Sequence, residues 1–330
     1  MVDVYFVLLP HSLILDWSGP AEALRMANQT LIAQGQSPRF ALHFISPHPA
    51  AMTSVGVAVT GLEPLPEVAA ASQPCWVVLV GQPGSTLTVD NDATRSALYW
   101  LRGLRLGHGQ VELITICAGS VLAAHAGLLA GRRATTHHHH LDELRRVEPR
   151  CDVVANRVFV EDAPVYSSAG VTTGIDLVLQ RISAVCGPAL AAQVAQTMVV
   201  ALRRGPNDPE LSPFLAYRNH LHPALHRMQD AVSEMPTSNW TVPGMAEVAH
   251  TSPRHLTRLF LEHTGIAPLQ YLRRIRLAVA QTALQSGHSV SRAAETAGFS
   301  SDTQLRRAWQ QFALAGTPSG AQRLPVHPPR

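Results

Sequence analysis

Short apolar runs alternate with amphipathic stretches along the first two thirds of the chain. The apolar runs have the length of buried strands and are VYFVLLP from Val4, ALHFIS from Ala41, CWVVLVG from Cys75 and ELITICAG from Glu112. Amphipathic stretches follow at 19–34, 92–106 and 120–129, and VYSSAGVTTGIDLVLQRIS near Tyr166 adds a last strand, a Gly-rich turn and a helix. This alternation predicts an α/β domain, with a parallel sheet that helices cover on both faces.

The last third of the chain has a helical period and contains a degenerate internal repeat. MAEVAHTSPRHLTRLFLEHTG and AAETAGFSSDTQLRRAWQQF each predict a helix, a turn and a second helix, over 246–263 and 294–312. One long helix over 268–285 joins them. Ser252 before Pro253 is typical of a helix start, and Ser300 or Ser301 has the same place in the second unit. The sequence therefore predicts an all-α segment with two helix-turn-helix units.

The second helix of each unit has one apolar and one polar face when residues advance by about 100° each. The apolar faces are Leu256, Leu259, Phe260 and His263 in the first unit and Leu305, Ala308, Trp309 and Phe312 in the second. Arg can pair with guanine edges in the major groove and Thr can contact a thymine methyl or a phosphate. A single such helix is more often a solvated surface, but two with matched faces favour DNA. The residues expected to contact double-stranded DNA are Arg254, Thr257, Arg258, Thr303, Arg306 and Arg307.

Charge is distributed unevenly along the chain. Residues 219–330 carry 11 Arg and 6 acidic residues, whereas residues 1–218 carry 15 Arg and 17 acidic residues. A basic segment of this kind favours binding to a phosphate backbone. The C-terminal segment, with GFSSDTQLRRAW and TPSGAQR, resembles the DNA-binding domain of the AraC/XylS family of transcription regulators, in which a helix bridges two helix-turn-helix units. His250 stands where the first turn of that family often has Gly, so we expect a left-handed backbone there, at a cost of roughly 1 to 2 kcal/mol.

A strand-to-helix turn in ITICAGSVLAAHAGLLAGRRATTHHHH is the candidate site of the first domain. The apolar run ends at Cys117, the small residues Ala118 and Gly119 follow, and a helix begins. Such a nucleophile elbow lifts a side chain out at a helix N-terminus, where the helix dipole would lower the pKa of a thiol. His137 follows another expected strand and could return beside Cys117. The alternative is that Cys117 is a small buried residue that ends a strand.

This first segment resembles the ThiJ/PfpI branch of the class I glutamine amidotransferase-like superfamily, over residues 1–202. The resemblance implies a flavodoxin-like sheet, neighbouring Cys117 and His137, Gly81 facing the thiol and an acidic residue near it, for which Glu22 is the candidate. The expected contacts of a small-molecule effector are Glu22, Gly81, Gln82, Cys117, Ala118 and His137. Joined to an AraC-type domain, this is the arrangement of the GlxA-like regulators. Some of those regulators respond to nitrogen compounds such as betaines or amino acids.

No catalysis is expected from a glutamine amidotransferase triad, because no histidine here is followed by Glu two positions later. A Cys-dependent hydrolase or a glyoxalase-type enzyme stays open as the alternative. No cofactor is expected, and no metal site either, because the four consecutive histidines 137–140 would point in different directions on a helix.

The sequence predicts a sensor domain at 1–202, a linker at 203–222, a DNA-binding domain at 223–324 and a tail at 325–330. Gly205, Pro206, Pro209 and Pro213 mark the linker. The scattered cysteines and the lack of a membrane-spanning run predict a cytoplasmic protein. The overall expectation is a ligand-responsive, homodimeric transcription regulator, most simply an activator, with RNA polymerase as a further partner.

Overall fold

The computed structural model describes residues 1–67, 74–200, 204–206, 216–218, 220–312, 314 and 317–321. The chain divides into two compact units, Met1–Glu210 and Leu211–Arg330. The predicted tail lies outside the described residues, as does most of the predicted linker. Within the described ranges, no helix is both long enough and apolar enough to cross a membrane.

In the described part of the first unit, ten strands form three sheets. In chain order they are β1 (Val2–Val7), β2 (Phe40–Ile45), β3 (Ala50–Met52), β4 (Ala58–Thr60), β5 (Cys75–Leu79), β6 (Val111–Ile116), β7 (Arg133–Ala134), β8 (Asp152–Val153), β9 (Phe159–Asp162) and β10 (Val165–Ser168). The central sheet has the order β2-β1-β5-β6-β10-β9, and β3-β4 and β7-β8 are small two-stranded sheets. In the central sheet the neighbouring strands β2, β1, β5, β6 and β10 are parallel, and β9 is antiparallel to β10. The parallel sheet is thus confirmed, with an antiparallel edge strand added.

Helices cover both faces of this sheet. They are α1 (Ile14–Ala33), α2 (Asp92–Arg102), α3 (Gly119–His125), α4 (Leu141–Val147), α5 (Thr173–Cys186) and α6 (Pro188–Thr197). Along β1, Val4 and Phe6 belong to the core that α1, α5 and α6 share, whereas Val7 belongs to the opposite core with α2 and α3. Side chains alternate between faces along a strand, so both faces must be apolar. When the five parallel strands alone are numbered in chain order, β2-β1-β5-β6-β10 becomes the flavodoxin-like order 2-1-3-4-5, as expected.

Helix boundaries differ from the sequence predictions in both directions. α1 begins at Ile14, five residues before the predicted start, and it contains Pro20 within its second turn. α2 ends before Gly103, and α3 ends two residues before Gly127, whose φ is +79°. Glycine is a common helix terminator because it adopts such a φ without strain. The predicted ends at 106 and 129 were too late.

The second unit is all-α, as predicted. Its helices are α7 (Pro223–Glu234), α8 (Val242–Val248), α9 (Pro253–Thr264), α10 (Pro268–Gln285), α11 (Val290–Thr296), α12 (Asp302–Gln311) and α13 (Pro318–Ala321). The first half of α10 contributes Tyr271, Leu272 and Ile275 to a core with α7, α8 and α9. Its second half contributes Leu277 and Leu284 to another core with α11 and α12. One continuous helix therefore supports both helix-turn-helix units.

Candidate functional site

Cys117 forms a sharp turn between β6 and α3. Its φ is +57°, in the left-handed region that few non-glycine residues adopt. Its amide donates to Ser168 O (3.1 Å), and its carbonyl accepts from Thr136 Oγ1 (2.8 Å) and from Ser120 N (3.3 Å). The side chain is 4% exposed. The elbow predicted from the sequence is therefore present, and its cysteine is buried.

Two glycines leave the space that the Cys117 side chain occupies. A methyl group at Gly170, whose φ is +100°, would lie 2.3 Å from Cys117 Cβ. A methyl group at Gly81 would lie 2.9 Å from both Cys117 Sγ and Asp16 Oδ2. Cβ atoms do not approach other atoms so closely, so neither position accepts a side chain without local rearrangement. Gly81 at the end of β5 and Gly170 after β10 thus fix where the thiol lies.

Asp16 is the acidic residue that lies beside this thiol. Its carboxylate is fully buried and accepts hydrogen bonds from Gly81 N (2.9 Å, Oδ2) and Val171 N (2.7 Å, Oδ1). Burial raises the pKa of Asp16 to about 6, and the two amide hydrogen bonds oppose this increase. The pKa of this carboxyl group therefore lies closer to physiological pH than that of an ordinary aspartate.

Glu22, the acidic residue expected from the sequence, does not lie at this site. It is exposed and pairs with Arg25 on the surface of α1, at 2.6 Å between Oε2 and Nη2. Because α1 begins at Ile14, Asp16 is in its first turn, directly after the β1 loop. Glu22 is six residues further along α1, so its side chain is rotated by about 240° from that of Asp16 and lies on another face. The signal that could have identified Asp16 is its place in LDWSG, directly after the first apolar run.

The segment before His137 returns to the elbow, as the sequence suggested. Besides the Thr136 contact with Cys117 O, Ser120 Oγ donates to Thr135 O (2.7 Å). His137 is half-buried, and burial together with the neighbouring histidines lowers its pKa to about 4. The Ala118 side chain is fully buried at the start of α3.

Three of the four consecutive histidines lie close together, contrary to the expectation that all four would point in different directions. His137 has an extended backbone, and His138–His140 form one turn of 3-10 helix. Potential ligand atoms of His137, His138 and His139 all lie within 4.8 Å of one another. His140 alone turns inward, where its Nδ1 is 2.7 Å from Glu143 Oε2.

A cleft of about 460 Å³ opens at the carboxyl ends of β1 and β5. Flavodoxin-like sheets bind ligands at this switch point, where the chain reverses its direction of winding. Gln82 borders the cleft and donates to Pro10 O (2.6 Å). The polar lining of the cleft also includes His11, His48, Thr88, Asn91 and Asp92. Of the six residues expected to contact the effector, Gln82 is among the described residues that line this cleft, and the other five are not.

The second helix of the first helix-turn-helix unit, α9, has the predicted cap and an exposed polar face. Ser252 Oγ accepts from His255 N (3.3 Å), and Arg254 and Arg258 are exposed. Thr257 is half-buried, and its hydroxyl donates to Pro253 O (2.9 Å). The turn before α9 contains His250 with a φ of +53°, so the expected left-handed backbone is confirmed.

His263 does not belong to the apolar face on which the sequence placed it. It is exposed in the last turn of α9, and its ring lies 5.7 Å from His220 and 5.5 Å from His222 between centroids. Phe260 and Ile266 pack in the core at this end of α9. Gly265, which lies between them in sequence, ends the helix with a φ of +72°. The final turn therefore lies beyond the packed interior.

The second helix of the second helix-turn-helix unit, α12, presents the polar face that the sequence predicted. Ser301 caps it, since its Oγ accepts from Gln304 N (3.2 Å), and Leu305, Ala308 and Trp309 are buried. Thr303, Arg306 and Arg307 are exposed. Arg306 Nη2 donates to Ser319 Oγ (3.1 Å), which links the face to α13.

Comparisons with known proteins match both units. A model described as the DJ-1/PfpI family matches residues 4–184, and one described as a helix-turn-helix domain matches residues 245–319. The transcriptional regulator CdhR of Pseudomonas aeruginosa is 29% identical over 99% of this chain and 94% of its own length. The transcriptional regulator GlxA of Rhizobium meliloti is 28% identical over 96% of this chain and 94% of its own.

Two further matches concern the first unit. A solved AraC family transcriptional regulator from Pseudomonas putida has the same fold, with a TM-score of 0.50 and 18% identity over 60% of this chain and all of that one. An isonitrile hydratase of Pseudomonas putida is 27% identical over 63% of this chain and 81% of its own length. CdhR and GlxA align with nearly the whole of this chain, and both are HTH-type transcriptional regulators. The chain belongs to the DJ-1/PfpI family, and the AraC-type helix-turn-helix domain joined to it makes it a DNA-binding regulator.

Proposed function

We propose that this protein is a cytoplasmic, sequence-specific transcription regulator whose DNA affinity responds to a small polar metabolite. The observation that carries the proposal is the pair of capped helices, α9 and α12, which present arginine-rich exposed faces from one shared helix, α10. The simplest mode of action is activation by a homodimer that contacts RNA polymerase.

DNA recognition by this pair needs cationic side chains that can reach base edges. Arg254, Arg258, Arg306 and Arg307 are exposed on α9 and α12, and a guanidinium can donate two parallel hydrogen bonds to guanine. Thr257 already uses its hydroxyl proton within its helix, so its remaining contribution is its methyl group or an accepting oxygen. Thr303 is exposed. We therefore assign direct base contacts to the arginines first.

The effector is proposed to bind in the cleft that Gln82 borders. Nitrogen compounds such as betaines and amino acids were the candidates from the sequence. Quaternary ammonium groups are usually bound over aromatic rings, and the lining residues that the structure describes include histidines but no Trp, Tyr or Phe. Amide, hydroxyl and carboxylate groups at Gln82, Thr88, Asn91 and Asp92 fit a hydrogen-bonding amine better. An amino acid or a primary amine is the favoured class.

One contact at the elbow favours ligand sensing over catalysis. Acyl-transfer chemistry needs backbone amides that point at a developing oxyanion, and at a nucleophile elbow one of these comes from a neighbouring strand-end loop. Gly81 lies in such a loop beside the thiol, but its amide donates to Asp16 Oδ2 (2.9 Å). This amide is therefore not directed at a substrate.

The second candidate function is that of a Cys-dependent hydrolase or glyoxalase-type enzyme with an accessory DNA-binding domain. The left-handed elbow at Cys117, the adjacent Asp16 and the similarity to an isonitrile hydratase favour it. Cys117→Ala separates the two functions. As a sensor, the unaltered chain shows no turnover, the variant keeps its basal DNA affinity, and the effector response depends on Gln82 in the cleft rather than on Cys117. Turnover of an isonitrile or a 2-oxoaldehyde that is lost in Cys117→Ala would support the enzyme.

The DNA proposal is tested with Arg254→Ala and Arg307→Ala in the full chain. Loss of one bidentate base contact costs about 1 to 3 kcal/mol, so each variant should bind its own promoter region roughly five- to 150-fold more weakly. Fluorescence anisotropy measures this affinity, and thermal unfolding verifies the fold.

Arg292→Ala is the matched control, because Arg292 is exposed on α11 and pairs with Glu295. It should retain the full preference for promoter over unrelated DNA. Equal affinity of the unaltered protein for promoter and unrelated DNA would overturn the proposal. A loss of cooperative unfolding in Arg254→Ala or Arg307→Ala would mean that the assignment of the exposed faces is wrong.

A further inference from the structure

The histidine turn that follows β7 has the composition and geometry of a transition-metal site. Ring centroids lie 4.1 Å apart for His137 and His138, 4.3 Å for His138 and His139, and 4.9 Å for His137 and His139. Potential ligand atoms of all three lie within 4.8 Å of one another. Three nitrogens bound at about 2.0–2.1 Å lie roughly 3.4 Å apart around a tetrahedral zinc ion. Each pair of ligand atoms would have to approach by at most about 1.4 Å to reach that spacing.

Buried contacts hold the turn on both sides. Before it, Thr135 N donates to Ser167 Oγ (2.8 Å), and Thr136 Oγ1 donates to Cys117 O. After it, the buried His140 contacts Glu143 Oε2, and Glu143 Oε1 accepts from Leu87 N (2.9 Å). His140 N closes the turn on His137 O (2.8 Å). A ligand set anchored in this way loses little conformational freedom when it binds an ion.

The exposure of the rings leaves a route for an ion. His137 and His138 are half-buried, and His139 is exposed. His137 Nδ1 accepts a long hydrogen bond, 3.4 Å, from His139 N. A metal ion would compete for that lone pair with a weak hydrogen bond.

We propose that His137, His138 and His139 bind one late first-row transition-metal ion, of the class of Zn²⁺, Co²⁺ or Ni²⁺. Imidazole nitrogens suit these ions, whereas Mg²⁺ and Ca²⁺ take oxygen ligands. Three protein ligands leave a coordination position for water or a small molecule. The inference goes beyond the proposed function, since neither DNA recognition nor the cleft at Gln82 requires a metal.

The test is a titration of the full chain, purified without a polyhistidine tag, with Co²⁺ and separately with Zn²⁺. We expect one Co²⁺ per chain with visible d–d absorption, and displacement of that absorption by Zn²⁺. The exposed His139→Ala should weaken binding by at least about tenfold, since loss of groups that merely support the ligands already costs that much. Circular dichroism of the metal-free variant verifies that its fold is unchanged.

Two further variants decide where the ion binds. His288→Ala removes an exposed histidine from the other unit, and its binding should equal that of the unaltered chain. His226→Ala with His263→Ala removes part of a second histidine group, in which rings of His220 and His226 lie 4.6 Å apart. Loss of the single Co²⁺ site in this pair, with binding retained in His139→Ala, would overturn the proposal. Weak binding without saturation in the unaltered chain would overturn it as well.

Discussion

Single residues around Cys117 determine the shape of the candidate sensor site. Cys117 and Gly170 both have positive φ angles, and Gly81 separates Asp16 from the thiol. The sequence identified the cysteine, because small residues after an apolar run predict an elbow. It left Asp16 unidentified, because the choice of acidic residue depends on where α1 begins, and Leu13, the residue before α1, makes no side-chain capping hydrogen bond. This is why the prediction that Glu22 is the acidic residue near Cys117 was wrong.

Gly170→Ala should destabilise the first unit. The added methyl group would overlap Cys117 Cβ, which costs about 1 to 3 kcal/mol, and the left-handed φ adds roughly 1 to 2 kcal/mol. Gly127→Ala is the matched control, because its φ is +79° and nothing lies within 4 Å of the added carbon. Urea unfolding should show a larger loss for Gly170→Ala. Equal losses would mean that the contact with Cys117 carries no cost.

The pH dependence of stability should reveal Asp16. Its pKa of about 6 in the folded chain lies above its ordinary value of 3.8, so folding favours the protonated form. The stabilisation from this proton is complete below about pH 4 and is lost as pH rises through 6; it amounts to at most about 3 kcal/mol. Relative to Asp16→Asn, the unaltered chain should therefore lose stability between pH 4 and pH 6.5.

Chemical unfolding at several pH values measures this difference. Glu22→Gln, in the exposed Glu22–Arg25 pair, is the control and should give a curve parallel to that of the unaltered chain. A constant offset between Asp16→Asn and the unaltered chain across the range would contradict the elevated pKa.

At the scale of elements, helices with strong local signals were predicted best. α10 has the bounds that the sequence predicted, 268–285, because Pro268 fixes its start and its apolar positions continue through the helix. The short strands β3, β4, β7 and β8 have two or three residues each, too few for a period to be seen. The antiparallel position of β9 follows from its pairing with β10, which local sequence does not encode.

The cap of α12 gives a prediction at this scale, since the sequence left Ser300 and Ser301 as alternatives. Ser301 Oγ accepts from Gln304 N, whereas Ser300 Oγ makes a 3.3 Å contact with the Gln304 side chain. Ser301→Ala should lower the unfolding free energy of the second unit by about 1 kcal/mol. Ser300→Ala, the neighbouring control, should lower it less. Calorimetry of both variants measures the difference, and an equal or reversed order would refute the assignment of the cap.

At the scale of the whole molecule, two sets of cores imply two folding units. Residues of the first unit alone form the two cores on the faces of the sheet, and residues of the second unit alone form the two cores along α10. A chain with separate cores need not unfold in one cooperative step. An effector that binds the first unit would then stabilise that unit directly.

Calorimetry of the full chain should accordingly show two transitions that single substitutions shift separately. Leu305 is completely buried in the core between α10 and α12, so Leu305→Ala should cost about 2 to 5 kcal/mol and lower the transition of the second unit alone. Gly170→Ala should lower the transition of the first unit alone, because its clash lies at the elbow. Each variant is the control for the other. If both shifted one common transition, the units would fold as a single cooperative body, and effector binding would then stabilise the DNA-binding unit to the same extent as the sensor.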